Sequence, residues 1–387
     1  MDFFPQGALG GFRVDSLGCV IFLSCRHWVQ CRSILGVDGV GADTGPAKRD
    51  RPGGGSVKVL VTGAEGFIGS EIVEGLSEAG HDVTAYVLYN SFGKAGWLDS
   101  QDFQAEGQLQ VVAGDVRDAD SIQAVMGGQD VVVHLAALIA IPYSYQAPRS
   151  YVETNVIGTM NVMEAARRAG VSRVVHTSTS EVYGTAQYVP IDEKHPLVGQ
   201  SPYSASKIGA DQVAHSYWSS FGVPVTTVRP FNTYGPRQSQ RAFIPSVAVQ
   251  LLSGAESISL GSLSPTRDLT FVTDTAEGFR AVAEGTGGLG EVFNMGSGFE
   301  ISMGEVVAML SEIAGRKVAL AEDPARVRPE NSEVERLWSD SSKLETAFGW
   351  SPAHAGRDGL YLGLEKTYAW FRDNSNEAGY DAKRYVV

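Results

Sequence analysis

The sequence predicts an α/β fold, a doubly wound parallel sheet followed by a smaller mixed α/β lobe. Three observations predict it. Short apolar runs of strand length recur between Val57 and Val228, stretches with apolar residues at helical spacing and a closing Gly lie between most of them, and beyond about residue 236 the elements become shorter and more mixed. Strand, helix, strand alternation implies parallel strands covered by helices on both faces.

The first 56 residues lack periodicity and finish in GADTGPAKRDRPGGGS, a linker-like stretch. They are read as a poorly ordered leader or a wrongly assigned start. All three cysteines, Cys19, Cys25 and Cys31, fall there, so the main body has no disulfide framework. With only His27 nearby they match no common ligand pattern, and no metal is expected.

Strands are expected at 57–62 (VKVLVT), 83–87, 109–112, 131–135, 173–177 and 224–228, with helices between them such as IGSEIVEGLSEAG and a long one over about 148–169. Next come a helix at 202–221, a helix at 244–253, a strand at 269–272, and helices near 302–314 and 357–372. The organisation this implies is a cofactor domain over 57–236, a mainly substrate-binding lobe over 237–373 interleaved with it, and a tail from 374 to 387.

With 43% hydrophobic and 19% charged residues, the bulk of the chain is not disordered. A formal net charge of -13 offers no footprint for nucleic acid or an anionic membrane, so an anionic ligand must be held by local donors. No apolar run approaches the ~18–20 residues of a membrane span, and no signal peptide is evident; a cytoplasmic protein is expected.

Directly after the first strand stands TGAEGFIG, with Gly63, Gly66 and Gly69 spaced G-x-x-G-x-x-G. The first glycine permits the tight turn, the second lets the backbone approach a pyrophosphate, and the third packs helix on strand, with Phe67 and Ile68 opening the helix whose N-terminus faces the anion. This is a Rossmann-type dinucleotide loop. The usual ribose carboxylate at the end of the second strand is missing, since Val87 stands there, and no Arg or Lys lies at 87–91 to meet a 2′-phosphate. NAD is therefore expected over NADP, with Asn90 and Ser91 as polar contacts. In GDVRD, Asp115 either meets the adenine amine or caps a helix, followed by Val116.

Tyr203 and Lys207 in SPYSASK stand four apart, behind a Pro202 suited to the first helical position. A lysine ammonium beside a tyrosine hydroxyl lowers its pKa and makes a general base. Thr179 ends the preceding strand and is expected to share the same substrate oxygen. Glu181, two residues on, is expected to project to the same side from an extended strand end; the alternative is a carboxylate facing solvent or paired with a lysine.

Together TGAEGFIG, HLAA (134–137), STSEVYG (178–184), YSASK and RPFNTYGPR (229–237) resemble the extended short-chain dehydrogenase/reductase family, its nucleotide-sugar epimerase/dehydratase branch, over about Val57 to the C-terminal region. The resemblance implies a nicotinamide over the sheet edge, cofactor contacts from Leu135, Ala136 and Ala137, and Thr179, Tyr203 and Lys207 acting on a C4 hydroxyl. It also implies that Asn232, Arg267 and Arg328 hold the substrate diphosphate; guanidinium forks suit phosphate oxygens, though either arginine could instead form a surface ion pair. A homodimer through the helices at 148–169 and 202–221 is implied too.

Within the branch, Thr-Ser-Glu resembles 4,6-dehydratases, in which the acid removes the C5 hydrogen after C4 oxidation while the C6 hydroxyl leaves as water. Ser180 stands where dTDP-glucose dehydratases carry an acid, so Glu181 must also serve the leaving group. STSEVYG is shared with UDP-glucuronate decarboxylases. LGSLSPTRDLTFV, RPENSEVERLWSD, AYVLYNSFGKAGWLDS and AALIAIPYSYQAP resemble dehydratases instead, the last two those acting on GDP- or UDP-N-acetylglucosamine. A C4 epimerase, or a binding protein that keeps the fold without chemistry, are the alternatives.

Overall fold

The structure, a computed structural model, describes residues 55–105, 107–374 and 379–381. The leader with its cysteines, and most of the tail, lie outside the described residues. Among the described residues, twelve strands occur in chain order: β1 Lys58–Thr62, β2 Asp82–Leu88, β3 Leu109–Gly114, β4 Val131–His134, β5 Arg173–Thr177, β6 Val225–Pro230, β7 Asn232–Tyr234, β8 Ser257–Leu260, β9 Thr266–Phe271, β10 Val292–Met295, β11 Glu300–Ser302 and β12 Ala319–Glu322.

Seven of them form one all-parallel sheet in the order β10-β6-β5-β4-β1-β2-β3. Its central strands are apolar on both faces because each face is covered. Val59, Val61, Val131 and Val133 point into a core with Ile72, Leu76 and Phe279, whereas Leu60, Val132 and Val174 point into the opposite core with Ile122, Val162 and Ala214. Side chains one residue apart therefore serve different helix layers, the period-two rule of a strand.

The strand order reverses direction between β1 and β4, and the crevice at their carboxyl ends is where an open α/β sheet binds its ligand. A three-stranded sheet, β11-β9-β7, and a two-stranded one, β12-β8, surround a separate core with Leu251, Phe271, Val306 and Leu364. Helix α1 (Phe67–Glu78) follows the glycine loop, and helix α2 (Ala119–Met126) follows β3. Arg237, 5% exposed, donates to Glu74 at 2.7 and 3.1 Å and to Asp102 O at 3.0 Å, tying the end of RPFNTYGPR to α1.

Several expectations are corrected. The strand expected at 269–272 begins three residues earlier, and Val272 instead opens a helix, Val272–Glu284. The helix expected over 148–169 is not uniform: Val152–Ile157 is a π-helical turn between Pro148–Tyr151 and Gly158–Ala169. That wider turn holds Asn155, whose side chain accepts from Leu138 N at 2.8 Å and donates to Leu138 O at 2.9 Å. The interruption thus fastens the loop after β4, in keeping with the association of π-turns with functional sites.

Candidate active site

The glycine loop leaves β1 at the reversal point. Gly63 has φ +71, and a Cβ on it would stand 2.8 Å from Ala136 N, so the loop lies directly on Leu135 and Ala136, just past the end of β4, with Ala137 next in the chain. Those residues are fixed in turn: Leu135 N donates to Thr62 O at 3.1 Å and Ala136 N to Thr62 Oγ1 at 3.3 Å. A Cβ on Gly69 would collide with Gly63 O. Gly66 is the N-cap of α1 and supplies no side-chain acceptor, so the first-turn amides at Phe67 and Ile68 suit an anion. The cradle fits a dinucleotide pyrophosphate.

Asp115 follows β3 but is not a helix cap. The cap of α2 is Asp118, which accepts from Asp120 N and Ser121 N, while Asp115 pairs with Arg117 at 2.5–3.0 Å. That guanidinium holds the Asp115 carboxyl below its usual range. Val116 is a core residue at 5% exposure, which leaves its backbone for any cofactor contact.

The catalytic corner forms where β5 ends. Pro202 at N1 and a Ser201/Ser204 capping box start the Pro202–Phe221 helix, so Tyr203 and Lys207 fall on its first two turns. Thr179 and Glu181 both lie close enough to the Tyr203 hydroxyl to act on its pKa, the threonine hydroxyl lowering it and the carboxylate raising it. Thr179, Ser180, Glu181, Tyr203 and Lys207 are all buried, with Glu181 8% exposed.

Two expectations change here. Glu181 is not on an extended strand end: Ser180–Tyr183 is a 3-10 turn capped by Thr179, whose Oγ1 accepts Glu181 N at 3.2 Å. The two residues are neighbours by a tight turn, not by strand alternation. Nor does Lys207 lower the Tyr203 pKa: its Nζ donates to Thr177 O at 2.6 Å, and burial raises the tyrosine well above its ordinary value. The same burial drives the Lys207 ammonium down to about 8, offset by Asp211 one turn further on.

Asp211 was not foreseen. It accepts from His176 Nε2 at 3.1 Å, Ser178 Oγ at 2.8 Å and Arg229 NH2 at 2.9 Å, and Arg229 reaches on to the Tyr183 hydroxyl at 3.0 Å. The network ties β5, β6 and the Tyr203 helix together beneath the corner. Its sequence signal was an acid four residues after Lys207, on the same helix face. Replacing Asp211 with Asn leaves the Arg229 charge buried and uncompensated, and is expected to cost about 3–5 kcal/mol in urea unfolding.

Lys207 sets a pH dependence. The group is charged below about 8, so kcat/KM is expected to fall on the alkaline side with a midpoint near that value, and Lys207→Arg to remove the falling limb while lowering the plateau. Its folded value lies below the unfolded 10.5, so the unfolded chain binds the proton better between the two, and this residue's contribution to stability improves as pH rises through that window. A profile of kcat/KM from neutral to alkaline pH checks the first statement.

On the substrate side, Asn232 opposes Leu269 in the β7–β9 pairing, and Arg267 lies two residues before Leu269, so Asn232 and Arg267 share one face. The Asn232 Oδ1 is buried without a hydrogen-bond partner. Arg267 is 6% exposed, is no surface ion pair, and feels both Glu181 and Arg328. Glu333 Oε1, unforeseen within RPENSEVERL, accepts from Arg267 NH2 at 3.2 Å and Arg328 NH1 at 3.4 Å. Arg267 and Arg328 thus meet on Glu333, and Arg267 also lies within reach of the Glu181 charge.

A parallel seven-stranded sheet with a glycine loop at its reversal point and a Thr-Tyr-Lys corner defines an NAD(P)-type short-chain dehydrogenase/reductase of the extended kind. Within that class, the family model described as GDP-mannose 4,6 dehydratase matches residues 60–361, and the chain belongs to this family of nucleotide-sugar dehydratases and epimerases. It is 34% identical over 323 residues to a dTDP-glucose 4,6-dehydratase of Actinoplanes sp., covering 82% of this chain and 98% of the relative. It is 35% identical over 324 residues to a UDP-glucose 4-epimerase of Mycolicibacterium smegmatis, covering 82% and 100%. Among solved structures, the dTDP-glucose 4,6-dehydratase DesIV of Streptomyces venezuelae, with NAD and TYD bound, superposes with a TM-score of 0.74 at 32% identity, covering 83% of this chain and 98% of that one.

Proposed function

We propose that the chain is an NAD-dependent nucleotide-sugar 4,6-dehydratase that converts an NDP-N-acetylglucosamine to its 4-keto-6-deoxy sugar. The observation that carries this reading is Glu181, a buried carboxylate one tight turn from Thr179 and within the field of Tyr203. A C4 epimerase has no use for an acid there, whereas a dehydratase needs one.

Bound NAD would supply the acceptor for the C4 hydride and its donor at C6, and a positive charge that would offset the burial holding Tyr203 protonated. Gly63, Gly66, Gly69, Phe67 and Ile68 would hold its pyrophosphate, with Asp115, the Val116 backbone and residues Leu135 to Ala137 lining the rest. Tyr203 takes the C4 hydroxyl proton while Thr179 orients that oxygen, and Lys207 supplies positive charge below its midpoint. With C4 a ketone, the C5 hydrogen is acidic; Glu181 removes it as the C6 hydroxyl departs. Ser180 is a hydroxyl, so the same Glu181 proton goes to the departing oxygen, and C5 takes a solvent-derived proton when hydride adds at C6. Asn232, Arg267 and Arg328 hold the diphosphate.

The acetamido preference is supported by the resemblance of AYVLYNSFGKAGWLDS and AALIAIPYSYQAP to dehydratases of that substrate class. We infer a soluble cytoplasmic homodimer, a reading to which exposed Val152, Ile157 and Met160 on one candidate helix contribute. The 4-epimerase reading keeps one specific support, the similarity to the mycobacterial UDP-glucose 4-epimerase. Incubation with UDP- and GDP-linked N-acetylglucosamine, glucose and mannose, and with UDP-glucuronate, read by mass, separates the readings. Loss of water from the N-acetylglucosamine donors is the expected result; loss of carbon dioxide, or isomerisation at constant mass, overturns the assignment.

A further inference from the structure

The carboxylate of Glu65, within the glycine loop, has oxygens in unequal use. Oε1 accepts from Leu88 N at 2.9 Å, on the exposed side at the carboxyl end of β2. Oε2 is buried and accepts no hydrogen bond. The chain after β2 returns to grip the residue: Trp97 N donates to Glu65 O at 3.1 Å, and Gly96, at φ +59, sits so close that a Cβ there would stand 2.9 Å from the Glu65 Cβ. Backbone and side chain are thus pinned between β1 and β2, with the acid at the end of β2.

That is the position at which a doubly wound sheet offers a carboxylate to the adenosine ribose, and β2 itself offers none. Val87 is 2% exposed in the core, and Leu88 is apolar. Asn90, one of the two polar contacts expected from the sequence, is committed to its own loop: Oδ1 accepts from Phe92 N and Lys94 N at 3.2 Å, and Nδ2 donates to Lys94 O at 2.7 Å; Ser91, the other, carries no charge. Glu65 alone combines charge, place and spare acceptor capacity. An ionised carboxylate accepts only, and a vicinal diol brings two O–H donors to it.

We propose that Glu65 reads the adenosine ribose of the dinucleotide, accepting its 2′- and 3′-hydroxyls in place of an acid on β2 and repelling a 2′-phosphate. This rests on the dinucleotide reading of the glycine loop. The class of ligand it selects is a dinucleotide with a free ribose diol.

Calorimetric titration of the full chain, stripped of bound nucleotide, with NAD+, 2′-deoxy-NAD+ and NADP+ tests it. The native protein is expected to bind NAD+ about 10-fold more tightly than 2′-deoxy-NAD+, since a hydrogen bond to a charged group is lost, and more tightly still than NADP+. Glu65→Gln, which keeps an acceptor for Leu88 N, is expected to weaken NAD+ by about 10-fold, leave 2′-deoxy-NAD+ nearly unchanged and narrow the gap to NADP+. Glu65→Asp withdraws the acid but keeps its charge, and should lose the hydroxyl preference while still rejecting NADP+. Equal weakening of NAD+ and 2′-deoxy-NAD+, or no change in either, overturns the proposal. Should Glu65→Gln not fold, absence of any preference for NAD+ over 2′-deoxy-NAD+ in the native protein overturns it as well. Failure of the native protein to bind any of the three would instead overturn the dinucleotide reading.

Discussion

Tyr203→Phe is expected to abolish turnover while leaving the fold intact. The ring is retained against Tyr151, with centroids 6.2 Å apart, so packing survives; only the hydroxyl is removed. Proton transfer by a positioned group contributes about 10²–10⁴-fold, and elimination can only follow the oxidation that this oxygen begins, so the loss should fall on kcat at close to that size. Single-turnover measurements with saturating nucleotide sugar should show no reduced cofactor. Substantial NADH formation by the variant would remove Tyr203 from the role of base.

Glu181→Gln is expected to separate the two halves of the reaction. Oxidation at C4 depends on Tyr203 and Thr179, so reduced cofactor should accumulate. Elimination depends on the carboxylate, and the 4-keto-6-deoxy product should fall by about 10²–10⁴-fold. In deuterated water the native enzyme should place deuterium at C5, and the variant should not. The amide retains the shape of the acid, so the Thr179 cap on residue 181 is preserved. Undiminished 4-keto-6-deoxy product from this variant would remove Glu181 from the role of the base that takes the C5 hydrogen.

Much of the fold was legible because buried parallel strands declare themselves as unbroken apolar runs. VKVLV and VVVH could hardly serve anything but a sheet covered on both sides. The helix Val272–Glu284 was missed although Ala276, Phe279 and Val282 stand three apart along it; its polar first turn and the apolar TFV before it read as the end of a strand. The site was legible where local spacing controls it, as in Tyr203 and Lys207 on one helix. It was not legible where long-range packing decides. Glu181 reaches the corner through a 3-10 turn, Lys207 donates to a carbonyl of β5, and Glu333 meets two arginines, one of them 66 positions away. Glu65 was hidden for a related reason, because its meaning depends on β2, which ends 23 positions later.

The edge strand β10 has a consequence for inheritance and engineering. Val292–Met295 lies well inside the second half of the chain, yet it completes the cofactor sheet by pairing Val292 with Thr227 and Met295 with Pro230. A chimera that exchanges everything after residue 236 for the substrate portion of a relative therefore also exchanges the last strand of its nicotinamide platform. Recombination among such enzymes should succeed at breakpoints that keep β6 and β10 from one parent, and new sugar specificities should arise more readily by change within the lobe than by transplanting it.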